Sequence, residues 1–170
     1  SLFPSYTLFP VESSDEIFYL DEDAQFFAER AVYEKSILQK NVKGLVKAIF
    51  DHSDHGMLYR NSANTTANTT FNNRAANCLS LSIMTYALAE HVGLNATFYE
   101  VEIPEYWTRR EGYSLLNGHI NLRLSLPNES PVAAVGGTWA DVDFDPQMLR
   151  NYFPRNAVSK NKVIAMYYNN

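Results

Sequence analysis

Residues 37–50 carry apolar residues at the three- and four-residue spacing of a buried helix face, which predicts a helix there. An earlier helix is predicted over residues 22–33, because Asp21 can cap it and acidic residues occupy its first turn. A third and clearer helix is predicted over residues 78–91, because apolar and small residues fill it and Gly93 follows where a helix commonly ends. Helices are therefore expected to precede any sheet.

Alternation of apolar and polar residues begins only after the third helix. It predicts three strands, over residues 96–103 (ATFYEVEI), 119–126 (HINLRLSL) and 138–144 (TWADVDF). Helices followed by hairpin-connected strands favour an α+β fold, with the helices packed on one face of an antiparallel sheet.

The remaining segments carry weaker patterns. Residues 1–20 contain two prolines and scattered aromatic residues, which predicts an extended arm held in place by its rings. Residues 51–73 are polar and include the near-repeat NTTANTT, which predicts a loop. One domain is expected over residues 21–160.

Composition narrows the range of functions. The chain has 170 residues with 14 basic and 19 acidic side chains, a formal net charge of −5, and the charges are spread along it. Nucleic acid is disfavoured as a partner, because phosphate recognition needs a concentrated basic surface. Uninterrupted apolar runs are too short for a membrane-spanning helix. The single cysteine excludes an intrachain disulfide.

That cysteine, Cys78, stands at the predicted start of the third helix. A thiol attacks as the thiolate, and the N–H groups and macrodipole at a helix N-terminus favour the anion. The backbone N–H of Cys78 would point into the same pocket and could donate to an oxyanion. A cysteine that only packs the helix start is the alternative, and for a lone cysteine it is the commoner outcome.

A thiolate also needs a partner that holds and returns a proton. Of the four histidines, His119 opens the second predicted strand, where its ring can face a helix N-terminus. The next strand carries Asp141, Asp143 and Asp145 on one face, and any of them could orient the imidazole. The order of a helix-start cysteine and strand-borne histidine and aspartate favours a catalytic site over a core histidine and solvated acids.

A metal site is the other possibility for the histidines. His52 and His55 have the spacing of ligands, with Asp51 or Asp54 beside them, but no second cysteine or histidine cluster is nearby. Since zinc sites usually need three or four ligands, no metal is expected. His91 is interpreted as structural, because a cation in the last turn of a helix stabilises its dipole.

The segments that carry these residues resemble one known family. The Cys-helix-strand core of the transglutaminase-like superfamily is similar to residues 77–101 (NCLSLSIMTYALAEHVGLNATFYEV). Its His and Asp strands are similar to residues 117–124 (NGHINLRL) and 138–146 (TWADVDFDP). More narrowly, the chain resembles the bacterial transglutaminase-like domain that precedes tetratricopeptide repeats. The matching flanks are LFPSYTLFP, TANTTFNNRAANCLSLSIMT and KVIAMYYNN.

The resemblance implies a papain-like triad of Cys78, His119 and Asp143. Asp143 is chosen because the family's acid lies about four residues after a strand tryptophan; Asp141 ranks second and Asp145 third. The implied activity is thiol-dependent acyl transfer or hydrolysis on a protein or peptide substrate, by a cysteine peptidase, amidase or transglutaminase without a cofactor. The alternative is a catalytically silent peptide- or protein-binding module attached to a repeat scaffold.

Asn77 or Asn73, close to the thiol in sequence, would supply a side-chain oxyanion donor, and Trp107, on the loop between strands, would help to shape the substrate groove. The resemblance implies further features. Residues 161–170 would open a tetratricopeptide repeat region through which a protein partner could bind. Relatives with export signals favour the bacterial cell envelope over the cytoplasm.

Overall fold

Helices, a four-stranded antiparallel sheet and a two-stranded parallel pair make up the described part of the fold. The computed structural model describes residues 11–33, 38–52, 58–59, 63–102, 119–127, 139–144 and 154–169. Its helices are α1 (Ser14–Phe18), α2 (Glu22–Tyr33), α3 (Leu38–Asp51), α4 (Ala67–Asn73), α5 (Cys78–His91) and α6 (Lys160–Tyr168). Its strands are β1 (Leu58–Tyr59), β2 (Ala75–Ala76), β3 (Asn95–Val101), β4 (His119–Ser125), β5 (Trp139–Val142) and β6 (Arg155–Val158). The predicted α+β class is confirmed, and within these ranges no helix is long and apolar enough to cross a bilayer.

Four strands form the antiparallel sheet, in the order β5-β4-β3-β6. β3 lies between β4 and β6, so that Val101 is paired with His119 on one side and with Arg155 on the other. β4 pairs in turn with β5, with Leu122 opposite Val142. The sequence pattern does not predict β6, because this strand is short and mostly exposed and therefore lacks apolar alternation.

The central helix is α5, which is buried along its length and contacts α2, α4, β3 and β4. Its bounds agree with the prediction, and Gly93 follows it with a positive φ of 77°. The Tyr86 ring stacks on Phe98 of β3, with the ring centroids 4.6 Å apart. Phe98 is the register partner of Leu122. Helix α5 therefore lies along the middle strands of the sheet, with Cys78 at one end.

The N-terminal segment is not wholly extended. The Ser13 hydroxyl accepts a hydrogen bond from the backbone of α1 at 3.2 Å and caps that helix. Ile17 is fully buried, and the Phe18 ring packs edge-on against a ring of α5. The prediction of an extended arm over residues 1–20 is therefore wrong at α1, because tertiary burial stabilises a helix too short to show a period. Residues 1–10 lie outside the described residues.

The polar segment before the Cys helix also contains a helix. Thr66 caps α4 by accepting a backbone hydrogen bond at 3.3 Å, and Arg74 ends it in the left-handed conformation, with φ 56°. Phe71 is buried. The prediction of a loop over residues 51–73 is wrong at α4 and β1. At α4, packing against α5 overrides the weak helix propensity of Asn and Thr.

The last helix, α6, packs on the same core as the other helices. Val163 and Tyr167 are buried members of that core. The Lys162 ammonium pairs with Glu100 of β3 at 2.7 Å. That this helix opens a tetratricopeptide repeat stays a prediction, as do the domain bounds.

Candidate active site

Cys78 is the first residue of α5 and follows a complete N-cap. Asn77 Oδ1 accepts a hydrogen bond from the Ser80 backbone N–H at 2.9 Å, and the Asn77 carbonyl accepts one from Leu81 at 3.0 Å. The N–H groups of Cys78 and Leu79 have no carbonyl partner within the helix, because the first turn of any helix leaves them unpaired. Cys78 itself is partly exposed. The thiol therefore lies at a polar helix end and is not sealed into the core.

His119, the first residue of β4, lies against Asp143, the first residue after β5. The imidazole Nε2 is 3.0 Å from each of the two carboxylate oxygens. Both side chains are enclosed, with exposed fractions of 1% for His119 and 13% for Asp143. A carboxylate in this position fixes the tautomer and the plane of the ring. The other ring nitrogen, Nδ1, is left for a second partner.

The Cys78 side chain lies close enough to the His119 imidazole to act on its pKa. Burial alone lowers the pKa of His119, but the hydrogen bonds to Asp143 and Cys78 and the electrostatic attraction of both groups outweigh burial and raise the pKa to about 10. The ring therefore carries a proton at neutral pH.

Asp141, the second-ranked acid, has other partners. Its Oδ1 accepts a hydrogen bond from Arg123 Nε at 2.7 Å, and its Oδ2 accepts one from Arg155 at 2.6 Å. Burial alone would raise the pKa of Asp141, but the two guanidinium hydrogen bonds outweigh it and hold the pKa below its usual value. The Arg123 guanidinium also lies 4.1 Å from the Trp139 ring centroid. Asp141 thus belongs to an ion-pair cluster on the sheet, and Asp145 lies outside the described residues.

Two side-chain amides connect the cap of α5 to the last helix. Asn77 Nδ2 donates to Asn64 Oδ1 at 2.8 Å, and Asn64 Nδ2 donates to the carbonyl of Tyr167 at 2.9 Å. The neighbouring backbone N–H of Thr65 donates to Ser80 Oγ at 2.9 Å. The Asn77 side chain, expected from the sequence as an oxyanion donor, therefore holds the helix end. The sequence pattern does not single out Asn64, because this residue lies in the polar tract for which the pattern predicts a loop.

The other candidate positions are more peripheral. Asn73 is exposed at the end of α4, and Trp107 lies outside the described residues. Asn121 is absent from the sequence expectation, yet it is only 6% exposed and lies two residues after His119, on the same strand face. Its Oδ1 has no hydrogen-bond partner in the part of the chain that the structure describes. A polar residue between the apolar positions of β4 is the signal that could have singled it out.

His52 and His91 hold structural contacts. The His52 ring stacks on Phe71 at 4.5 Å, its Nε2 is 3.2 Å from the Phe71 carbonyl, and burial lowers its pKa. His91 Nε2 pairs with Glu29 at 2.8 Å. His55 lies outside the described ranges. Among the residues inside them, no group of three or more His, Cys, Asp or Glu side chains could hold a metal ion.

Comparison with protein-family models and with curated proteins gives no match. Among solved structures, the chain is similar to a candidate cysteine protease from Cytophaga hutchinsonii, with a TM-score of 0.44 and 11% sequence identity. The alignment covers 87% of this chain and 57% of that protein, so this chain spans little more than half of its length.

Proposed function

We propose that this protein is a thiol-dependent enzyme that transfers or hydrolyses the acyl group of a peptide or amide substrate, with Cys78 as the nucleophile. The contact of His119 with Asp143, beside a partly exposed Cys78 at the start of α5, carries this proposal, and the effect of Cys78 on the pKa of His119 supports it. An acid that orients an imidazole beside a thiol is the arrangement that nucleophilic catalysis requires. The resemblance of the Cys, His and Asp segments adds the proposal that the enzyme is transglutaminase-like.

In the first half-reaction, Sγ of Cys78 attacks the carbonyl carbon of the amide and a C–S bond forms. The thiol proton is held by His119, whose pKa of about 10 keeps the ring charged at neutral pH. N–H groups at the start of α5 donate to the carbonyl oxygen as it becomes negative. His119 then gives its proton to the amide nitrogen, the C–N bond breaks, and the amine leaves a thioester on Cys78.

In the second half-reaction, water or a primary amine attacks the thioester carbon. The proton of this acceptor passes to His119, the C–S bond breaks, and the sulfur is released for another cycle. Water gives a carboxylic acid, which defines a peptidase or amidase, whereas an amine gives a new amide, which defines a transglutaminase. Asp143 holds the imidazole in place throughout both steps.

Alkylation by iodoacetamide tests the nucleophile directly, because Cys78 is the only thiol of the chain. Between about pH 9 and pH 6 the alkylation rate of free cysteine falls by roughly two orders of magnitude, since its pKa is about 8.5. We expect Cys78 to lose less than about ten-fold over this range, and His119→Ala to restore the steep fall. His91→Ala is the matched control, because His91 lies at the far end of the same helix and its pairing with Glu29 leaves the thiol untouched.

Turnover of a peptide library, with and without a primary amine, then identifies the acceptor. Products that are lost in Cys78→Ala and that incorporate the amine indicate transamidation, whereas products formed equally without the amine indicate hydrolysis. If Cys78 is alkylated like free cysteine and no peptide is turned over, the enzyme proposal fails. A catalytically silent binding module is then the better description.

A further inference from the structure

We infer that Asn64 is a positioning residue for Cys78, which couples the docking of α6 to the first turn of the Cys helix. The inference rests on the proposed role of Cys78 as a nucleophile. Its basis is an unbroken series of hydrogen bonds from the Tyr167 carbonyl to Asn64, from Asn64 to Asn77, and from Asn77 to the Ser80 backbone. The three bonds measure 2.9, 2.8 and 2.9 Å.

The two ends of this series fix the direction of every bond in it. A backbone carbonyl can only accept and a backbone N–H can only donate, whereas a side-chain amide can do either. Asn64 must therefore present Nδ2 to the Tyr167 carbonyl, which leaves its Oδ1 for Asn77. Asn77 must in turn present Nδ2, which leaves its own Oδ1 to cap the helix at Ser80. Both amides are satisfied in one orientation only.

The two ends of the series are buried, whereas Asn64 between them is partly exposed. Asn77 is 7% exposed, Tyr167 is 5% exposed and Ser80 is fully buried. A buried amide that loses its partner stays desolvated, and linked hydrogen bonds strengthen one another. The N–H of Thr65 adds a second connection by donating to Ser80 Oγ. Residues 64 and 65 therefore hold the first turn of α5 at two points.

Cys78 lies inside this turn, between Asn77 and Ser80. The direction of Sγ follows the backbone of the turn, whereas the imidazole that it meets is held separately by Asp143 on the sheet. A shift of about 1 Å between two reacting groups can cost two orders of magnitude in rate. Asn64 thus sets the helix side of the Cys–His contact, and it does so only while α6 supplies the Tyr167 carbonyl.

Two substitutions break the series in different ways. Asn64→Leu keeps the branched shape of the side chain but removes its hydrogen bonds to Tyr167 and Asn77. Asn77→Ser keeps a good helix cap but is too short to reach Asn64. We expect both variants to slow Cys78 alkylation near neutral pH and to lower kcat by roughly 5- to 30-fold, the factor expected for one buried hydrogen bond, with KM unchanged. Asn77→Ser should retain a melting temperature close to that of the wild type.

Asn68→Leu is the matched control. Asn68 is also partly buried and also makes two side-chain hydrogen bonds, both to Asp21, at 2.9 and 3.1 Å. Those bonds lead from α4 to the start of α2 rather than to the cap of α5. The control variant should lose thermal stability while its alkylation rate and pH profile stay at the wild-type values.

Each outcome decides a separate question. Wild-type rates in both Asn64→Leu and Asn77→Ser would overturn the positioning role while leaving the enzyme proposal intact. Equal slowing in Asn68→Leu would overturn it as well, by assigning the effect to general loss of stability. A wild-type Cys78 no more reactive than free cysteine, together with the absence of peptide turnover, overturns the enzyme proposal and this inference together. If Asn64→Leu does not fold, Asn77→Ser decides alone.

Discussion

Nε2 of His119 lies 3.0 Å from both carboxylate oxygens of Asp143. His119 begins β4 and Asp143 follows β5, and because these strands are antiparallel both residues lie at the same end of the pair. The carboxylate holds one ring nitrogen with both of its oxygens, so the imidazole has little freedom to rotate. Cys78 lies near the same ring, and Asp143 and Cys78 together raise the pKa of the imidazole above its usual value.

Asp143→Asn tests the role of this contact. The amide keeps the shape of the side chain but loses its charge, so the pKa of His119 falls and the ring is no longer held in one tautomer. We expect kcat for peptide turnover to fall by about 10²- to 10⁴-fold. Steady-state kinetics at neutral pH measures the change.

Asp141→Asn is the matched control for that substitution, because it changes a carboxylate of the same strand segment. Asp141 binds Arg123 and Arg155 rather than the imidazole. The variant should lose about 1 kcal/mol of unfolding free energy, as expected for a partly exposed ion-pair cluster, and keep kcat within two-fold or so of the wild type. If the effects of the two substitutions on kcat are reversed, Asp141 is the functional acid.

The stability of the fold should depend on pH through His119. Its pKa is raised from 6.5 to about 10, so its contribution is fully present below pH 6.5 and is lost as the pH rises through about 10. In a Cys78→Ser background the folded-state pKa of His119 lies below the wild-type value, because the thiol no longer raises it. The unfolding free energy of that variant should fall as the pH rises from 6.5 through this lower pKa. The slope for one proton is at most about 1.4 kcal/mol per pH unit.

Urea unfolding at several pH values measures this slope. Adding His119→Gln to the Cys78→Ser background should flatten it, because the titrating ring is then absent. The same slope in both variants would show that another group is responsible.

Ser82 and Ser80 are fully buried serines of the same helix. Substitution by alanine should change the unfolding free energy in opposite directions at the two positions. Ser82 Oγ has no hydrogen-bond partner within the described ranges, whereas Ser80 Oγ accepts from the Thr65 backbone. Ser82→Ala should therefore raise the unfolding free energy by about 1 kcal/mol. Ser80→Ala should lower it by about 1–3 kcal/mol, because the Thr65 N–H is left unpaired. Chemical denaturation distinguishes the two, and a loss in Ser82→Ala would mean that its hydroxyl has a partner.

Gly93 ends α5 with a φ of 77°, and a Cβ placed there would meet no atom within 4 Å. Gly93→Ala should therefore cost about 1 kcal/mol through backbone strain alone. Arg74→Gly provides the reverse comparison, since Arg74 adopts a φ of 56°. That variant should be stabilised by about 0.5 kcal/mol in the same unfolding assay. Changes of the same sign in both variants would exclude the backbone explanation.

The elements that could be predicted from the sequence are those whose signals are local. Helix α5 has the bounds that the pattern predicts, because a run of apolar and small residues ends at Gly93. Helix α4 could not be predicted, since Asn and Thr are weak helix formers and the helix depends on burying Thr70 and Phe71 in the core. Local propensity does not show which other residues will bury Thr70 and Phe71.

The candidate site shows the same limit. Strand periodicity places Asp141, Asp143 and Asp145 on one face of the strand. It does not distinguish which of them pairs with His119. In the structure Asp141 and Asp143 differ in their partners. Asp141 accepts hydrogen bonds from Arg123 of β4 and Arg155 of β6, whereas Asp143 lies against His119. Because the pattern does not predict β6, that competition was not visible in the sequence, and only the family resemblance favoured Asp143.

The amide series that ends on Tyr167 has a consequence for folding. Asn64 and Tyr167 are 103 residues apart, whereas the cap from Asn77 to Ser80 spans three. Contacts between close neighbours form early, and contacts that close long loops form late. A chain still emerging from the ribosome has Asn64 and Asn77 in place well before Tyr167 is made. During that interval the cap of α5 can form, but the contact that ties it to α6 cannot.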